Sequence, residues 1–478
     1  MKHSIELRMA VVAALLVFAF AMCGLAQESE PGSPRGVSES VQIAPPHVPS
    51  APGTLFIPKS SQPKTAPAGH RFSAHTNVEI FLPHGLNPEE KPPYPGYGYE
   101  TPASLACHYG LVSPGSGIAP NCNPNSTTVV PTGGSNTIAI VDAYDDPSAP
   151  GDLAWFSLQF GVPLSLSDFQ VVWANTATSS CNTSGVPIDE TGGWELEESL
   201  GIEWAHAMAP KANIYLVEAC SELDSDLQQA VLVANNLVQC GQTEINPATL
   251  ALGTCPAGST GKGEVTMSWG AGEFVGENTS DKCATLDDSC FLATNVVYFA
   301  AAGDSPGVIW PGTSPNVVSA GGTTLRRNGS TFNFTAEAAW VDGGGGQSAI
   351  ETIPSYQSSV KTIVGKWRGV PDLSFDSDPY TGVYVYDTFP MEGFTYDEWI
   401  VVGGTSVSTQ ALAGIVNSAG SFAASSNAEL TTIYKNMATA ADFTGITSGF
   451  CGFYMGFSAG TGWDFCTGIG ADKGYAGK

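Results

Sequence analysis

Positive charge is scarce in this sequence: its 478 residues include 18 lysines and arginines against 45 aspartates and glutamates, a net charge of −27. This balance argues against binding to nucleic acids and to anionic membrane surfaces, because both carry negative charge. Cys-x-x-Cys motifs are absent, so a zinc site or a redox motif of that kind is not expected. Beyond residue 26, no apolar run is long enough to span a membrane.

The N-terminus has the parts of a secretory signal. Lys2 and Arg8 form a charged start, and an apolar run follows over Met9–Met22. The small residues Gly24 and Ala26 suit a cleavage site. We therefore expect a signal peptide over residues 1–26, cleavage after Ala26, and a secreted, extracellular product with no membrane contact.

Cysteine usage agrees with an oxidising compartment. Removal of the signal takes away Cys23 and leaves ten of the 11 cysteines, an even number that suits complete disulfide pairing. Close spacing favours three local disulfides: Cys107–Cys122, Cys283–Cys290 and Cys451–Cys466. The pairing of the other four cysteines stays open: Cys181, Cys220, Cys240 and Cys255.

The chain changes character near residue 99. Residues 27–98 are rich in proline and serine, which predicts an extended or weakly structured N-terminal extension with one strand-like run, Asn77–Leu82. From residue 137 onward, apolar strands alternate with helical patterns, which is typical of an α/β protein with a buried parallel sheet. We expect one large domain over residues 99–478. The predicted helices are Thr101–Leu111, Asp152–Phe160, Trp194–Met208 and Ser225–Val238.

The stretch Gly-Gly-Thr-Ser at 403–406 has the pattern of a catalytic turn. The apolar run Trp399–Val402 precedes it and the apolar run Ala411–Val416 follows it, which predicts a buried strand, a tight turn and a buried helix. Ser406 then lies at a helix N-terminus, where free backbone N–H groups and the helix dipole favour a developing negative charge. Ser406 is therefore the candidate nucleophile.

Two other segments place carboxyl groups where chemistry could occur. Asp304 follows the apolar strand Val296–Ala302, and α/β proteins bind ligands at the carboxyl ends of parallel strands. The predicted helix Trp194–Met208 has an apolar stripe and, taken alone, a solvated acidic face. The acidic residues of this helix are Glu195, Glu197, Glu198 and Glu203.

These three segments, in this order, resemble the sedolisin family of serine-carboxyl peptidases over roughly residues 99–472. The resemblance implies a subtilisin-like parallel sheet flanked by helices, and a monomeric endopeptidase that hydrolyses peptide or protein substrates at acidic pH. It assigns Ser406 as the nucleophile, Glu197 as the base and Asp304 as the residue that stabilises the oxyanion. A carboxylate can act as the base when a second carboxyl group tunes it.

The sequence departs from the family at the second carboxyl group. The family has an aspartate four residues after the glutamate, and this chain has Gly201 there. Glu198 and Glu203 lie on other faces of the helix and are poor substitutes. A milder change is Gln410, where the family often has proline. The alternative function is therefore a catalytically inactive pseudopeptidase that serves as a secreted peptide- or protein-binding module.

A second departure concerns the family's calcium site near the C-terminus. Four residues match the family's ligands: Ile446, Gly460, Gly462 and Asp464. Gly445 replaces the family's first aspartate, so we expect one Ca²⁺ site that is weakened by the loss of a carboxylate. The extension over residues 27–98 is also too short for the family's full propeptide, which argues against self-processing.

Other assignments fit the sequence less well. Gly303–Gly307 matches G-x-S-x-G with Ser305 as nucleophile, but a helix must follow that motif and three prolines come soon after it. His206 lies outside any subtilisin-like motif and is expected to be a packed or surface histidine. Three aspartates after the first strand of the domain are expected to cap a loop: Asp142, Asp145 and Asp146.

Overall fold

The structure is a computed structural model that describes residues 53–86, 90–175, 179–181, 184–240, 258–279, 283, 285–394, 398–452 and 456–478. All of these residues belong to one compact unit, Val48–Lys478. The expected signal peptide lies outside the described residues. No helix within the described ranges is long and apolar enough to cross a membrane.

The described residues contain twenty strands, which are numbered here in chain order. They are β1 Gly53–Phe56, β2 His75–Thr76, β3 Glu79–Pro83, β4 Thr137–Ala143, β5 Phe169–Trp173, β6 Asn213–Ala219, β7 Gly263–Met267, β8 Trp269–Gly270, β9 Val296–Ala301, β10 Val318–Arg327, β11 Phe334–Ala339, β12 Gly346–Thr352, β13 Trp367–Val370, β14 Leu373–Asp376, β15 Val383–Tyr386, β16 Trp399–Gly403, β17 Phe443–Thr444, β18 Phe450–Cys451, β19 Phe457–Ser458 and β20 Ala471–Asp472.

Seven α-helices accompany these strands in the same ranges. They are α1 Pro102–His108, α2 Ala149–Phe160, α3 Gly193–Met208, α4 Asp224–Cys240, α5 Lys361–Val364, α6 Thr405–Ala419 and α7 Ser426–Asn436. The predicted short helix after Thr101 is confirmed, and Thr101 caps its N-terminus by accepting the Ser104 N–H.

A sheet of ten strands forms the centre of the fold. Its order is β17-β20-β14-β10-β9-β7-β4-β6-β5, with β11 paired to β10. The strands from β14 to β5 are parallel to their neighbours. Strands β4 and β9 are buried along their whole length, as near-continuous apolar runs predict for a parallel sheet covered on both faces. The predicted α/β class is confirmed.

Helices cover the two faces of this sheet. Alternate residues of β4 point to opposite faces: Ala139 and Val141 pack in one core with helix α4, whereas Ile138 and Ile140 pack with residues of α3. Helix α6 packs beside α3. The solvated acidic face expected for α3 is wrong, because all sixteen of its residues are buried. The helix lies between the sheet and neighbouring helices, so it has no free face.

The N-terminal extension is more ordered than its composition predicts. Strands β1, β3, β16 and β15 form a second, four-stranded antiparallel sheet in that order. Val78, Ile80 and Phe81 are buried in it. These apolar side chains give the segment a packed partner that proline and serine content does not reveal. Strand β3 confirms the strand-like run predicted over Asn77–Leu82, and the expectation of a weakly structured leader is wrong for the paired strands β1 and β2.

Four disulfides join loops of the described part of the domain. The three local pairs predicted from spacing are confirmed, and Cys181 pairs with Cys220. Cys240 is also disulfide-bonded. Cys255 lies outside the described residues.

Candidate active site

Ser406 lies at the strand–helix junction that the sequence predicts. Strand β16 ends at Gly403 and helix α6 begins at Thr405, so Ser406 is the second residue of the helix. Its side chain is fully buried, and its hydroxyl donates to the carbonyl of Ser268 at 3.2 Å. The hydroxyl therefore lies against the end of β7, at the carboxyl edge of the central sheet.

Glycine is required at position 404 of this turn. Its φ of 112° is rarely adopted by residues with a side chain. A Cβ at this position would collide with the carbonyl oxygen of Asn77 and would lie 2.6 Å from Oδ2 of Asp304. Glycine thus lets a peptide carbonyl approach the start of the helix.

Asp304 is held beside the N-terminus of α6. Its Oδ1 accepts hydrogen bonds from the backbone N–H and the hydroxyl of Thr405, each at 2.7 Å. Its Oδ2 has no hydrogen-bond partner among the described residues. Burial raises the pKa of Asp304 to about 7, although the bonds from Thr405 oppose the rise. Below that pH the group carries a proton that it can donate from the free oxygen.

Glu197 is buried beside Ser406. Burial raises the pKa of Glu197 to about 8, and the nearby Ser406 hydroxyl opposes that rise while the charge of Asp304 adds to it. The backbone N–H of Asn77 and the hydroxyl of Ser268 also favour the charged form. Neither carboxylate oxygen makes a well-aligned hydrogen bond within the described part of the chain. A buried carboxylate with unused oxygens next to a serine hydroxyl is suited to accept its proton.

The space beside Gly201 is closed by other side chains. A Cβ at Gly201 would lie 3.2 Å from Ile140 and 3.4 Å from Nε2 of Gln410. The Gln410 amide donates to the Ser268 hydroxyl at 2.9 Å and accepts from the Thr266 hydroxyl at 2.8 Å. The two departures at 201 and 410 are therefore neighbours in space. Gln410 takes up the room that a side chain at 201 would need.

Asp142 is the carboxyl group that sequence reasoning missed. It follows Ile140 by two residues on β4, so it points to the same face of the sheet, toward α3. Its side chain is fully buried, and neither oxygen has a hydrogen-bond partner among the described residues. Burial raises the pKa of Asp142 well above its ordinary value, and the charge of Glu197 adds to the rise.

The expectation that Asp142 caps a loop is therefore wrong. That role belongs to Asp146, which accepts the backbone N–H of Ser148 at 2.8 Å and its hydroxyl at 2.6 Å. Asp145 accepts the indole N–H of Trp173 at 2.9 Å. Asp142 differs from both because it still lies within the strand, whereas the others lie in the loop that follows. The alternation of β4 was the signal that could have separated it from them.

The remaining acids near Glu197 have other partners. Glu203 accepts the backbone N–H of Tyr386 at 3.1 Å. Glu198 is buried, and the charges of Glu218 and Asp146 raise its pKa further after the larger effect of burial. The carboxylate of Asp189 accepts N–H groups from the first turn of α3 and so caps that helix.

The other candidate nucleophile and base do not form a site. The described residues that follow Ser305 form turns and bridges and no helix, so the nucleophile-elbow assignment is not supported. His206 is buried near the end of α3, where burial lowers its pKa to about 4. This agrees with the packed histidine that the sequence favours.

Among the residues expected to bind calcium, the single carboxylate, that of Asp464, already accepts backbone hydrogen bonds. Oδ1 of Asp464 accepts the N–H groups of Cys466 and Thr467, each at 2.9 Å, and Oδ2 accepts the N–H of Gly460 at 2.9 Å. In the described ranges, no group of three or more His, Cys, Asp or Glu side chains could hold a metal ion. This donor set fits Ca²⁺ poorly, and the calcium site stays a prediction.

Two curated proteins are similar to this chain in sequence. No family model matches the chain. The chain is 27% identical to sedolisin from Pseudomonas sp. (strain 101) over 366 residues, which cover 70% of this chain and 58% of sedolisin. It is 29% identical to kumamolisin from Bacillus sp. (strain MN-32) over 374 residues, which cover 72% of this chain and 59% of kumamolisin. The chain thus spans less than two thirds of the length of these two relatives.

The fold is also similar to a solved structure. Pseudomonas sedolisin, a serine-carboxyl proteinase solved with two molecules of pseudo-iodotyrostatin, superposes with a TM-score of 0.57. The match is 22% identical and covers 78% of this chain and 95% of that one. The protein therefore has a subtilisin-like α/β fold. The chain is thus similar in sequence to sedolisin and kumamolisin, and similar in fold to sedolisin, which supports the sedolisin family.

Proposed function

We propose that this protein is a secreted serine-carboxyl endopeptidase that hydrolyses peptide bonds at acidic pH. The observation that carries the proposal is the convergence of three groups around one backbone carbonyl, that of Asn77. The Ser406 N–H donates to this carbonyl at 3.2 Å, and the free oxygen of Asp304 lies on the same side of Gly404. Glu197 lies beside the Ser406 hydroxyl.

The proposed reaction follows from this placement. Glu197 takes the proton of the Ser406 hydroxyl as its oxygen attacks the peptide carbonyl carbon. The negative charge that develops on the carbonyl oxygen is stabilised by the Ser406 N–H and by the protonated Asp304. Glu197 then returns the proton to the leaving amine, and a water molecule hydrolyses the acyl-enzyme. Asp304 is protonated below its pKa of about 7, and because burial raises the pKa of Glu197 to about 8, Glu197 acts as the base only in the minor fraction of molecules in which it is ionised.

We further propose that Asp142 supplies the second carboxyl group that Gly201 cannot. Ile140 contacts the Gly201 position, Asp142 lies two strand residues further on, and Glu197 lies one helical turn back. Two strand residues advance about 6.6 Å and four helical residues about 6 Å, so Asp142 and Glu197 are at matching heights. Their charges interact, so the pair can share a proton and divide the roles of acid and base.

The alternative, an inactive peptide-binding module, is favoured by one observation. Gln410 fills the space beside Gly201, so the family's aspartate could not be added there without moving it. Under this alternative the cleft binds extended peptides without cutting them. The localisation and assembly proposals are common to both functions: four disulfides in the described part suit an oxidising compartment, and we propose a monomer that acts on peptides or proteins.

Hydrolysis of a mixed peptide library by the purified chain, from about pH 3 to 7, tests the proposal. Ser406→Ala should remove activity, whereas Ser305→Ala, the matched control from the rejected motif, should keep it. Loss of activity in Ser305→Ala alone would assign a different nucleophile. Peptide binding without hydrolysis at every pH would support the binding module instead.

A further inference from the structure

A cluster of carboxyl groups outside the catalytic set lies where the loop after β8 meets strand β12. Its members are Glu273, Glu277, Asp287, Asp288 and Glu351. All but Glu273 are at most 5% exposed. No ion pair in the described part of the chain includes any of them. Buried acids without cations must gain their stability from hydrogen bonds and bound protons.

Glu273 ties the loop after β8 to strand β12. Its carboxylate accepts hydrogen bonds from the hydroxyl of Ser348 and from the backbone N–H of Ala349, the second at 2.8 Å. The Ser348 hydroxyl in turn accepts the backbone N–H of Glu351 at 2.7 Å. One carboxylate of the loop therefore organises the middle of β12.

Glu277 braces the same loop from its other end. Its Oε2 accepts the N–H of Phe274 at 2.7 Å, and its backbone carbonyl accepts the N–H of Asp288 at 2.8 Å. Its Oε1 has no hydrogen-bond partner among the described residues, although the side chain is fully buried. The carboxyl groups of Glu277 and Glu273 lie within hydrogen-bond distance of each other. A proton on Glu277 would therefore join the two groups.

Glu351 and Asp288 form a second pair of the same kind. Their carboxyl groups lie within hydrogen-bond distance, and Oδ1 of Asp288 also accepts the indole N–H of Trp310 at 3.1 Å. Oε1 of Glu351 has no partner in the described ranges. The adjacent Asp287 stands apart, since its carboxylate accepts the N–H of Ser289 at 2.9 Å. Two buried carboxylates at such a distance repel each other, so each pair is stable only while it holds a proton.

The cations that approach this cluster are already paired with other acids. Arg71 packs on the loop after β8 and bonds to Asp224 at 3.1 Å. Arg368 lies 5.6 Å from the ring centre of Tyr356 and forms an ion pair with Asp372. Tyr356 also faces the second carboxyl pair, and it stays uncharged because burial raises the pKa of its phenol further. Protons, and not cations, are therefore what can hold the carboxyl groups together.

The segments that meet at this cluster are continuous with the candidate active site. Strand β8 begins directly after Ser268, whose carbonyl accepts the Ser406 hydroxyl. Gly344, two residues before β12, donates its N–H to the carbonyl of Gly303 at 2.7 Å, next to Asp304. The carboxyl pairs thus connect the chain beside the nucleophile with the chain that supports the oxyanion-stabilising residue.

We propose that Glu277 and Glu351 form a proton-dependent latch, which holds the loop after β8 against β12 in acid and releases it at alkaline pH. Neither residue touches the reacting atoms, so both are positioning residues. The inference rests on the proposed peptidase function for its consequence, which is that the substrate cleft loses its shape when the latch opens. The opening itself is a property of the fold and can be measured in an inactive protein.

The direction of the pH dependence follows from the surroundings of the two residues. Burial raises the pKa of Glu277 to about 8 and that of Glu351 to about 9, and the neighbouring carboxyl groups add to both rises. Below these values each residue is protonated and can donate to its partner. As the pH rises through about 8 and then 9, each pair loses its proton and its two carboxylates repel each other.

The test is hydrogen exchange of the Ser406→Ala protein at intervals from pH 6 to 9.5, followed by mass spectrometry. After correction for the intrinsic pH dependence of exchange, protection of residues 271–277 and 346–352 should fall at least about tenfold over this range. The buried strand β4 should keep its protection, because it lies in the centre of the sheet. Protection of the two segments that does not change with pH would overturn the latch.

Glutamine substitutions identify the groups responsible. Glu277→Gln with Glu351→Gln replaces each protonated acid by an amide that can donate at any pH, so this double variant should keep its protection at pH 9. Glu264→Gln is the matched control: Glu264 is also fully buried with a raised pKa, but it accepts from Asn417 of α6 instead. The control should lose protection as the parent does. An equal loss in the double variant would also overturn the latch.

Peptide hydrolysis separates a failure of the latch from a failure of the proposed function. With Ser406 intact, KM should rise at least about threefold from pH 6 to 8 in the parent and stay level in the double variant, because positioning is lost and not chemistry. A chain that hydrolyses peptides but keeps both segments protected at pH 9 refutes the latch and leaves the function standing. A chain whose segments open but which hydrolyses nothing refutes the function and leaves the latch.

Discussion

Two glycines, Gly201 and Gly445, stand where the sedolisin-like pattern has aspartates, and the structure treats them differently. At Gly201 an added Cβ would meet Ile140 and Gln410 at 3.2 and 3.4 Å, and the carboxyl group of Asp142 lies nearby on the same strand as Ile140. At Gly445 an added Cβ would meet nothing within 4 Å. The comparison teaches that neighbouring side chains fill the space beside Gly201, whereas the space beside Gly445 stays open.

The largest expected effect comes from removing the carboxyl group of Asp142, which we propose takes the place of the side chain missing at Gly201. Asp142→Asn should lower kcat about a hundredfold. The asparagine cannot share a proton with Glu197, so the pKa of Glu197 would no longer be adjusted by a second carboxyl group. The acid limb of the kcat–pH profile should also shift to lower pH, because Glu197 loses an acidic neighbour. Steady-state kinetics of the purified protein measure both.

Asp145→Asn is the matched control for this prediction, because Asp145 lies in the adjoining loop and accepts the indole N–H of Trp173. Its kcat should stay within about twofold of the parent value. An unchanged kcat and pH profile in Asp142→Asn would show that nothing replaced the lost aspartate.

The second expectation concerns stability and pH. Burial raises the pKa of Glu79 and of Glu195 to about 9, of Glu197 to about 8 and of Asp304 to about 7. A carboxyl group with a raised folded-state pKa binds a proton that the unfolded chain has released. Its stabilisation is therefore complete below about pH 4, the ordinary value, and is lost as the pH rises through the folded-state values.

Each group in this window costs the folded state about 1.4 kcal/mol per pH unit. We expect Tm to fall continuously between about pH 5 and 9, which differential scanning calorimetry would measure. Asp142→Asn should make the fall shallower, because it removes one such group. A Tm that rises over this range would contradict the inference that these buried carboxyl groups are protonated in the folded protein.

A smaller effect, on stability, should appear when Gly201 is substituted. Gly201→Asp should destabilise the protein by about 1–3 kcal/mol, because the new side chain overpacks against Ile140 and Gln410. Combined with Gln410→Ala, the cost should shrink by about 1 kcal/mol or more, which urea unfolding of the four proteins in this cycle would detect. Gly445→Asp, the same change at the open position, should show no such cost. Simple additivity of the Gly201 and Gln410 changes would mean that they do not share one space.

The smallest effect is expected at the calcium position. Both carboxylate oxygens of Asp464 already accept hydrogen bonds from backbone N–H groups. Millimolar Ca²⁺ should therefore barely change the Tm of the parent protein. Gly445→Asp adds a second carboxylate and should produce a Ca²⁺-dependent rise of a few degrees, about 2–4 °C, that a chelator reverses. A large Ca²⁺-dependent shift in the parent would show that one carboxylate and backbone carbonyls are enough.

Local patterns were sufficient for much of this protein. The apolar run before Gly403 and the apolar residues after Ser406 predicted the strand–turn–helix that positions the nucleophile, because each element depends on neighbours in the chain. Spacing predicted three disulfides for the same reason. The expectation failed for helix α3, where four acids indicated a solvated face and the structure buries every residue. The sequence of a helix shows how its apolar and charged residues are spaced. It does not show how many faces of the helix are covered by neighbouring elements.

By itself the sequence determined the α/β class and indicated the sedolisin resemblance, with Ser406, Glu197 and Asp304 as candidate site residues, since these follow from motifs that are contiguous in the chain. Only the tertiary structure decided that the charge of Glu197 acts on Asp142, that Gln410 occupies the space beside Gly201 and that the carbonyl of Asn77 accepts the Ser406 N–H. The members of each pair are far apart in the chain, so no local spacing links them. They meet because parallel strands, the helix packed on them and an added antiparallel strand bring their ends to one edge of the sheet.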